Sequence, residues 1–348
     1  MQQKRIFQKL MSEIASEPGR FLQADQQWVS VVDNSSGRAA ELQDTDFANM
    51  LDELRAQRSD FRAALAQHGG VLLRGWPVTT AARFEALADC FLAEQASYIG
   101  GVSRRSRVHN NVYNTTEAPS DVVIEQHLEA THTPRPPELI LFNCQVAPAT
   151  RGETPLASFI ELYERLPASV TQPLEDESVV YTRELIDQES MLYRALPAGV
   201  KQSLALSWQE VSGCDDLQAA RATLEAEGYE VTSRGARRLR TRCTQPVIGV
   251  HPQTGRKGWY LSDQITRILP WYTRWPRRAL RSVLGMEFGL ASGRTLPTAV
   301  TELVHATLQQ VRFSFSWQPG DVLVLDNHQM SHGRNPFSGE RLILTAFG

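Results

Sequence analysis

The segment His127-Leu128-Glu129 places two side chains that can bind a metal ion one residue apart, and a third, His332, follows near the end of the chain. Successive side chains of a strand point to opposite faces, so in an extended segment His127 and Glu129 project to one side and Leu128 to the other. The three side chains can act together only if a distant strand carries His332 to the same place. The sequence therefore predicts a sheet in which strands far apart in the chain are neighbours.

Two imidazoles and one carboxylate are the donor set of non-haem Fe(II) oxygenases, because this set leaves coordination positions free for a cosubstrate and for oxygen. A His-x-Glu triplet by itself also occurs by chance in many proteins that bind no metal. The residues around His332 help to decide between these two interpretations.

Turn and strand patterns alternate around His332. Residues 317–321 have a turn pattern, residues 322–325 are a continuous apolar run typical of a buried strand, and His332 ends the segment that leaves this strand. After a second turn pattern at residues 335–339, Arg341 begins another strand-like run. A guanidinium beside a metal suits bidentate pairing with the far carboxylate of a dicarboxylic cosubstrate whose other end chelates the metal.

Several further motifs accompany these residues, and together they resemble the Fe(II)/2-oxoglutarate-dependent oxygenases of the taurine dioxygenase superfamily. The motifs lie at residues 70–76, 112–119, 127–129, 152–157, 251–255 and 332–341. Glu129 and the His-Pro-x-Thr-Gly sequence at residues 251–255 resemble the branch typified by the syringomycin-pathway aspartyl hydroxylase. That branch serves the assembly of specialised metabolites.

The resemblance implies a mainly β fold with flanking helices and a double-stranded β-helix, or jelly roll, as its core. It also implies that His127, Glu129 and His332 bind iron, and that Thr154 and Arg341 bind a carboxylate of 2-oxoglutarate. The cofactor and cosubstrates implied are Fe(II), 2-oxoglutarate and O2. Hydroxylation of an aliphatic C–H bond is the expected outcome, and desaturation and cyclisation are alternatives that the sequence leaves open.

The resemblance also constrains the substrate. Taurine dioxygenase binds its sulfonate with a further arginine at the position of Thr345, so a sulfonate is disfavoured here. Halogenases of the superfamily replace the carboxylate that is intact in Glu129, so halogenation is disfavoured as well. We expect an amino acid or an amino-acid-derived intermediate of specialised metabolism, free or bound to a carrier protein. Arg105 or Arg107 would meet the carboxylate of a free substrate.

Other histidines compete for the metal. His328 precedes His332 by the spacing of one helical turn, which would suggest a zinc pair on a helix. Because its flanking residues have a strand pattern, we expect His328 to be structural, with Asp326 or Asn327 as a partner. The remaining histidines are expected on surfaces or in turns: His68, His109, His132, His251 and His305.

The charge distribution indicates no nucleic-acid partner. The formal net charge is −3, and basic and acidic residues are mixed along the chain. Two arginine-rich runs, at residues 234–240 and 274–278, could face an acidic carrier protein, although such runs are more often solvated surface. The sequence leaves the oligomeric state open.

Cysteine usage and hydropathy predict a soluble cytoplasmic protein. The chain has 4 cysteines with no close pairs, which indicates neither a disulfide framework nor a zinc knuckle. The N-terminus lacks the apolar core of a signal peptide, and no apolar run is long enough to span a membrane.

We expect one catalytic domain over residues 1–348, because large β-barrel and jelly-roll enzymes commonly form a single unit. Residues 1–67 are predicted to be an N-terminal helical segment, with apolar residues at helical spacing in residues 47–65. Thr79 is expected to cap the next helix. About residues 158–245 are predicted to be a helical insertion that covers the mouth of the barrel.

Two other classes of protein remain as alternatives. A metal-dependent isomerase or hydrolase of the cupin type would use a similar barrel with another metal, but it would have no need of Arg341. A non-catalytic 2-oxoglutarate-binding protein would be expected to lose a metal ligand, and this chain retains all of them.

Overall fold

A computed structural model describes the chain over most of its length. The described residues are 21–23, 28–33, 44–92, 101, 105–115, 118–196, 198, 201, 206–261 and 286–348. The arginine-rich run at residues 274–278, considered above as a possible surface for a carrier protein, lies outside the described residues.

The described helices are α1 (Asp44–Ala56), α2 (Arg58–His68), α3 (Ala81–Phe91), α4 (Phe159–Arg165), α5 (Ala168–Thr171), α6 (Met191–Arg194), α7 (Trp208–Ser212), α8 (Leu217–Ala226) and α9 (Thr298–Val311). The described strands are β1 (Phe21–Gln23), β2 (Trp28–Asp33), β3 (Gly70–Arg74), β4 (Arg107–His109), β5 (Val112–Asn114), β6 (Ile124–His127), β7 (Leu139–Val146), β8 (Thr150–Arg151), β9 (Thr154–Ser158), β10 (Ser178–Ile186), β11 (Glu230–Ser233), β12 (Arg238–Pro246), β13 (Ile248–Val250), β14 (Lys257–Trp259), β15 (Met286–Leu290), β16 (Phe313–Phe315), β17 (Val322–Asp326), β18 (Met330–Arg334), β19 (Phe337–Ser338) and β20 (Leu342–Phe347).

The largest described sheet has eight strands in the order β1-β2-β3-β17-β7-β20-β5-β4. Its pairs are antiparallel except for β2 and β3, which run parallel. Strand β17 lies in the middle, and every one of its residues is buried. The apolar run at residues 322–325 is continuous because both faces of this strand are covered.

The two faces of the large sheet have different partners. Val322 and Val324 contact the apolar side chains of α1, α2 and α3, whereas Leu323 and Leu325 point to the other face. Burying one such side chain stabilises the fold by about 1.5–3 kcal/mol. The second face packs against a four-stranded sheet with the order β16-β9-β18-β6. The fold is therefore mainly β with flanking helices, as the sequence predicted.

The prediction of a helical insertion at residues 158–245 was only partly right. Helices α4 and α8 lie within this range, as predicted. However, β10 and β12 pair over their whole length and join β11 and β15 in a four-stranded antiparallel sheet. The alternation in β10 is hard to recognise in the sequence because Arg183, a charged residue, occupies one of its buried positions.

Two expectations for the N-terminal part need correction. The predicted helical segment at residues 1–67 also contributes β1 and β2, which pair with each other and extend the large sheet through β3. The cap of α3 is Thr80, whose side chain accepts a hydrogen bond from the backbone N–H of Arg83, rather than Thr79. Within the described part of the chain, no helix has both the length and the apolar character needed to cross a membrane.

Candidate metal and cosubstrate site

Two strands that are distant in the sequence bring His127 and His332 together. In the smaller sheet β18 lies between β9 and β6. His332 of β18 pairs in register with His127 of β6. The centroids of the two imidazole rings lie 4.5 Å apart. Gly333 permits this close pairing, because a Cβ atom at that position would lie 2.5 Å from the backbone oxygen of Ile124.

Glu129 does not lie in a strand, although the sequence predicted one. Strand β6 ends at His127, and Ala130 adopts the left-handed conformation with φ of 54°. A buried side chain, Asn327, fixes the position of Glu129. It accepts a hydrogen bond from the Glu129 backbone N–H at 2.7 Å and donates one to the Glu129 carbonyl at 2.9 Å. The side-chain amide of Asn327, which lies in the turn that precedes β18, thus holds the backbone of Glu129 in place.

The side chains of His127, Glu129 and His332 converge on one point. Each offers one ligand atom, and these atoms all lie within 4.8 Å of one another. The Nδ1–H of His127 donates to the backbone oxygen of Glu125 at 2.9 Å, which leaves its Nε2 free for a metal ion. Burial lowers the pKa of His127 to about 4, which keeps the imidazole neutral as a ligand must be.

Glu129 remains ionised in this buried position. Burial alone would raise the pKa of the carboxyl, but the nearby Arg105 and His332 outweigh it and hold the pKa well below its usual range. The Nη2 of Arg105 lies 2.7 Å from the Oε2 of Glu129. The donor set of two imidazoles and one carboxylate fits Fe(II).

The predicted cosubstrate residues line the same pocket as His127 and His332. The pocket has about 410 Å³ of empty space, part of it open to solvent, and its lining includes His127, His332, Thr154, Arg341 and Arg105. Thr154 begins β9, and Arg341 immediately precedes β20. The tertiary structure therefore brings all of these side chains to one cavity.

Arg341 is partly buried, and no carboxylate lies beside it among the described residues. Its Nε donates to the backbone oxygen of Gly152 at 3.1 Å, and its guanidinium lies 5.6 Å from the centroid of the Phe337 ring. Within the described residues no acidic side chain forms an ion pair with it. Burial, followed by the charge of Arg334, lowers the pKa of Arg341 to about 10. An anion bound in the pocket would offset the effects of burial and of Arg334, and would raise the pKa of Arg341 again.

Thr154 has a hydroxyl proton to offer. Its Oγ1 accepts a hydrogen bond from the indole N–H of Trp317 at 3.0 Å, and both residues are buried. A hydroxyl that accepts one hydrogen bond can still donate its own proton. Thr154 can therefore donate to an anion that enters the pocket.

The comparison with protein families decides the identity of the fold. The family model "Taurine catabolism dioxygenase TauD, TfdA family" matches residues 33–347. The chain belongs to the TauD/TfdA family. The protein is thus an Fe(II)- and 2-oxoglutarate-dependent dioxygenase, and it uses Fe(II), 2-oxoglutarate and O2. The resemblance recognised in the sequence is confirmed.

Two curated relatives and one solved structure are similar over most of the chain. The clavaminate synthase-like protein At3g21360 of Arabidopsis thaliana is 26% identical over 84% of this chain and 85% of its own length. The dapdiamide synthesis protein DdaC of Enterobacter agglomerans is 25% identical over 81% of this chain and 82% of its own length. A putative alpha-ketoglutarate-dependent taurine dioxygenase from Burkholderia xenovorans has a TM-score of 0.50 at 15% identity, covering 92% of this chain and 88% of that chain, which is a likeness of fold.

His328 lies apart from the candidate metal ligands of this TauD/TfdA family member. Its backbone N–H donates to Asp326, and its ring centroid lies 5.8 Å from that of His251. His251 was expected on the surface or in a turn, but it is buried and its Nε2 lies 2.8 Å from the Oδ2 of Asp326. Asp326 thus links the His-Pro-x-Thr-Gly segment to the end of β17. The sequence did not reveal this pairing, because the two residues meet only through the tertiary structure.

The arginine run at residues 234–240 is accompanied by acidic side chains. Arg240 forms an ion pair with Glu184 on the neighbouring strand, and Arg237 lies 3.5 Å from a carboxylate oxygen of Asp187. Just beyond the run, Arg242 lies 3.6 Å from Glu230. These pairs favour the interpretation of a solvated, charge-balanced face.

Proposed function

We propose that His127, Glu129 and His332 bind Fe(II), and that Thr154 and Arg341 bind the far carboxylate of 2-oxoglutarate. One observation carries the proposal: His127 and His332 of a compact set of iron ligands line the same pocket as a partly buried guanidinium that has no acidic partner among the described residues. The iron and its cosubstrate supply the oxidising chemistry, and the protein binds, orients and shields the reactants.

Charge supports the roles of the two cosubstrate residues. A buried guanidinium is stabilised by a carboxylate partner, and a bidentate pair also fixes the orientation of that carboxylate. Arg341 can provide this fork and Thr154 a second donor. A metal-chelating keto acid with a second carboxylate matches both ends of the pocket.

For the substrate, we propose an amino acid or an amino-acid-derived intermediate of specialised metabolism, hydroxylated at an aliphatic carbon. The relative DdaC, named for dapdiamide synthesis, supports a biosynthetic rather than a catabolic role. Thr345 supports the same view, because it is fully buried in β20 and brings no cation for a sulfonate. Desaturation and cyclisation remain alternative outcomes of the same oxidation.

The large and small sheets are proposed to form a jelly-roll core. This is supported by the face-to-face packing of the two sheets and by the alternation of distant strands within them, such as β9-β18-β6. We further propose that residues 1–348 form one catalytic domain, and that the β10–β12 sheet with its helices covers the pocket.

We propose a small-molecule substrate, which is either free or presented on a carrier protein. Acidic side chains pair with arginines of the run at residues 234–240, so this surface is not strongly basic. It therefore offers an acidic carrier protein little electrostatic attraction. A cytoplasmic location is the proposal that fits a family of Fe(II)-dependent enzymes and four free cysteines.

The first experiment tests the reaction class. Under anaerobic conditions, Fe(II) and 2-oxoglutarate added together should produce a visible metal-to-ligand charge-transfer band, which should decay when oxygen is admitted and succinate is released. A cupin-type isomerase or hydrolase would show no such band. A non-catalytic binding protein would release no succinate.

The second experiment tests the substrate class. Succinate release and product mass are measured with free amino acids, small peptides and carrier-loaded aminoacyl thioesters. Turnover confined to taurine, aryloxyacetates or other compounds unrelated to amino acids would contradict the substrate proposal and leave the reaction class intact.

A further inference from the structure

Arg105 makes a direct contact with one of the proposed iron ligands. Its Nη2 lies 2.7 Å from the Oε2 of Glu129, and only 5% of either side chain is exposed. The same Oε2 lies 3.6 Å from the Nε2 of His332. The carboxylate oxygen that faces the second imidazole is therefore also the oxygen that the guanidinium holds.

Aromatic packing keeps the guanidinium of Arg105 in place. Its Cζ lies 5.8 Å from the centroid of the Phe347 ring, and that ring stacks on Tyr113 with centroids 5.7 Å apart. Such stacking suits arginine, whose guanidinium is planar and weakly hydrated. The cation is thus supported by β20 and β5 while it reaches Glu129.

Glu129 is consequently held at both ends. The side-chain amide of Asn327 fixes its backbone through two hydrogen bonds. Arg105 fixes its carboxylate through a charge-assisted hydrogen bond. Without Arg105, the carboxylate could rotate about its side-chain torsions, and the ligand would have to be ordered each time a metal ion binds.

We propose that Arg105 is a positioning residue that orients the Glu129 carboxylate for metal binding. This inference rests on the proposed function, because it takes Glu129 as an iron ligand. It differs from the role expected from the sequence, in which Arg105 or Arg107 would meet a substrate carboxylate. Carboxylates that bind metal ions are themselves commonly held by such hydrogen-bond donors, whose loss typically costs 10–100-fold in metal affinity or activity.

The test measures Mn(II) affinity in the absence of 2-oxoglutarate, by electron paramagnetic resonance of the free ion. Arg105→Leu should weaken Mn(II) binding by about 10–100-fold. Arg105→Lys retains a cationic donor without the planar fork, and should lose less affinity. Arg240→Leu is the matched control, because Arg240 also pairs with a glutamate but lies in the β10–β12 sheet. The Mn(II) affinity of this variant should equal that of the wild type.

A spectroscopic measurement separates orientation from general damage to the fold. With the guanidinium removed, Glu129 becomes a stronger donor to the metal. The charge-transfer band of the anaerobic Fe(II)–2-oxoglutarate complex should therefore move to lower energy in Arg105→Leu, less in Arg105→Lys, and not at all in Arg240→Leu.

Wild-type Mn(II) affinity together with an unchanged band in Arg105→Leu would overturn the proposal. Tighter Mn(II) binding would overturn it too, since the guanidinium would then act only by repelling the ion. A change confined to the substrate KM would assign Arg105 to the substrate instead. If Arg105→Leu does not fold, Arg105→Lys decides by the same criteria. Failure of the proposed function is distinct: His332→Ala would then bind Mn(II) as tightly as the wild type.

Discussion

The two ends of the pocket differ in how their charges are balanced. At the metal end, the carboxylate of Glu129 already has a cationic partner in Arg105, and Asn327 holds its backbone. At the cosubstrate end, the guanidinium of Arg341 has only a carbonyl and an aromatic ring as described partners. One end is thus organised by the protein itself, whereas the other is completed by an incoming anion.

This difference suggests how each end responds to a mutation. Removing a group from the organised end should disrupt both the ligand set and the residues that support it. Removing a group from the incomplete end should chiefly change how tightly the anion binds.

The largest effect is expected for the metal ligands. His127→Ala, Glu129→Ala or His332→Ala should abolish succinate formation, because each removes one donor from a minimal set. His328→Ala is the control and should retain substantial turnover, since His328 lies outside the group. Wild-type turnover in His332→Ala would contradict the assignment.

The next effect is expected for Arg341→Leu. Loss of a desolvated charge-assisted pair costs on the order of 2–4 kcal/mol, which raises the 2-oxoglutarate requirement by roughly 30- to 1000-fold. The charge-transfer band, titrated anaerobically with 2-oxoglutarate, measures this binding directly.

Arg83→Leu is the control for Arg341→Leu, because Arg83 also donates to a backbone carbonyl but lies on the helical side of the large sheet. Mn(II) affinity should be unchanged in both variants. An unchanged 2-oxoglutarate requirement in Arg341→Leu would remove the distinction between the two ends.

Asn327→Ala addresses the organised end. It leaves the backbone N–H and carbonyl of Glu129 without their buried partner, which should lower the free energy of unfolding by about 1–3 kcal/mol. Chemical denaturation measures this change, and Gln309→Ala, which removes an exposed amide from helix α9, is the control. If the stability of Asn327→Ala equals that of the wild type, the hydrogen bonds between Asn327 and the Glu129 backbone do not contribute to the stability of the fold.

The smallest effect is expected for Thr154→Val. One neutral hydrogen bond contributes about 0.5–1.5 kcal/mol, so the 2-oxoglutarate requirement should rise roughly 2- to 10-fold. Thr154→Ser keeps the hydroxyl and should restore it, and Thr150→Val, at an exposed position, should have no effect. A loss in Thr154→Ser together with wild-type binding in Thr154→Val would show that the methyl group, not the hydroxyl, matters.

Several features of the site were predictable because they depend on short stretches of sequence. The turn before β17, its apolar run and the strand that follows Arg341 are local patterns, and the structure contains all three. The strand predicted through Glu129 was wrong beyond His127, because the residue's backbone is held by Asn327 from another part of the chain. Such a contact leaves no pattern near residue 129.

The sequence by itself determined the family, the reaction class and the identity of the side chains that we propose as ligands, since these depend on residue types at characteristic positions. Only the tertiary structure decided that Arg105 contacts Glu129, that Asn327 holds its backbone and that His251 is buried against Asp326. The physical reason is that hydrogen bonds and ion pairs between distant residues depend on strand order and register. Periodicity along the chain describes which face a side chain occupies, but not which side chain it meets there.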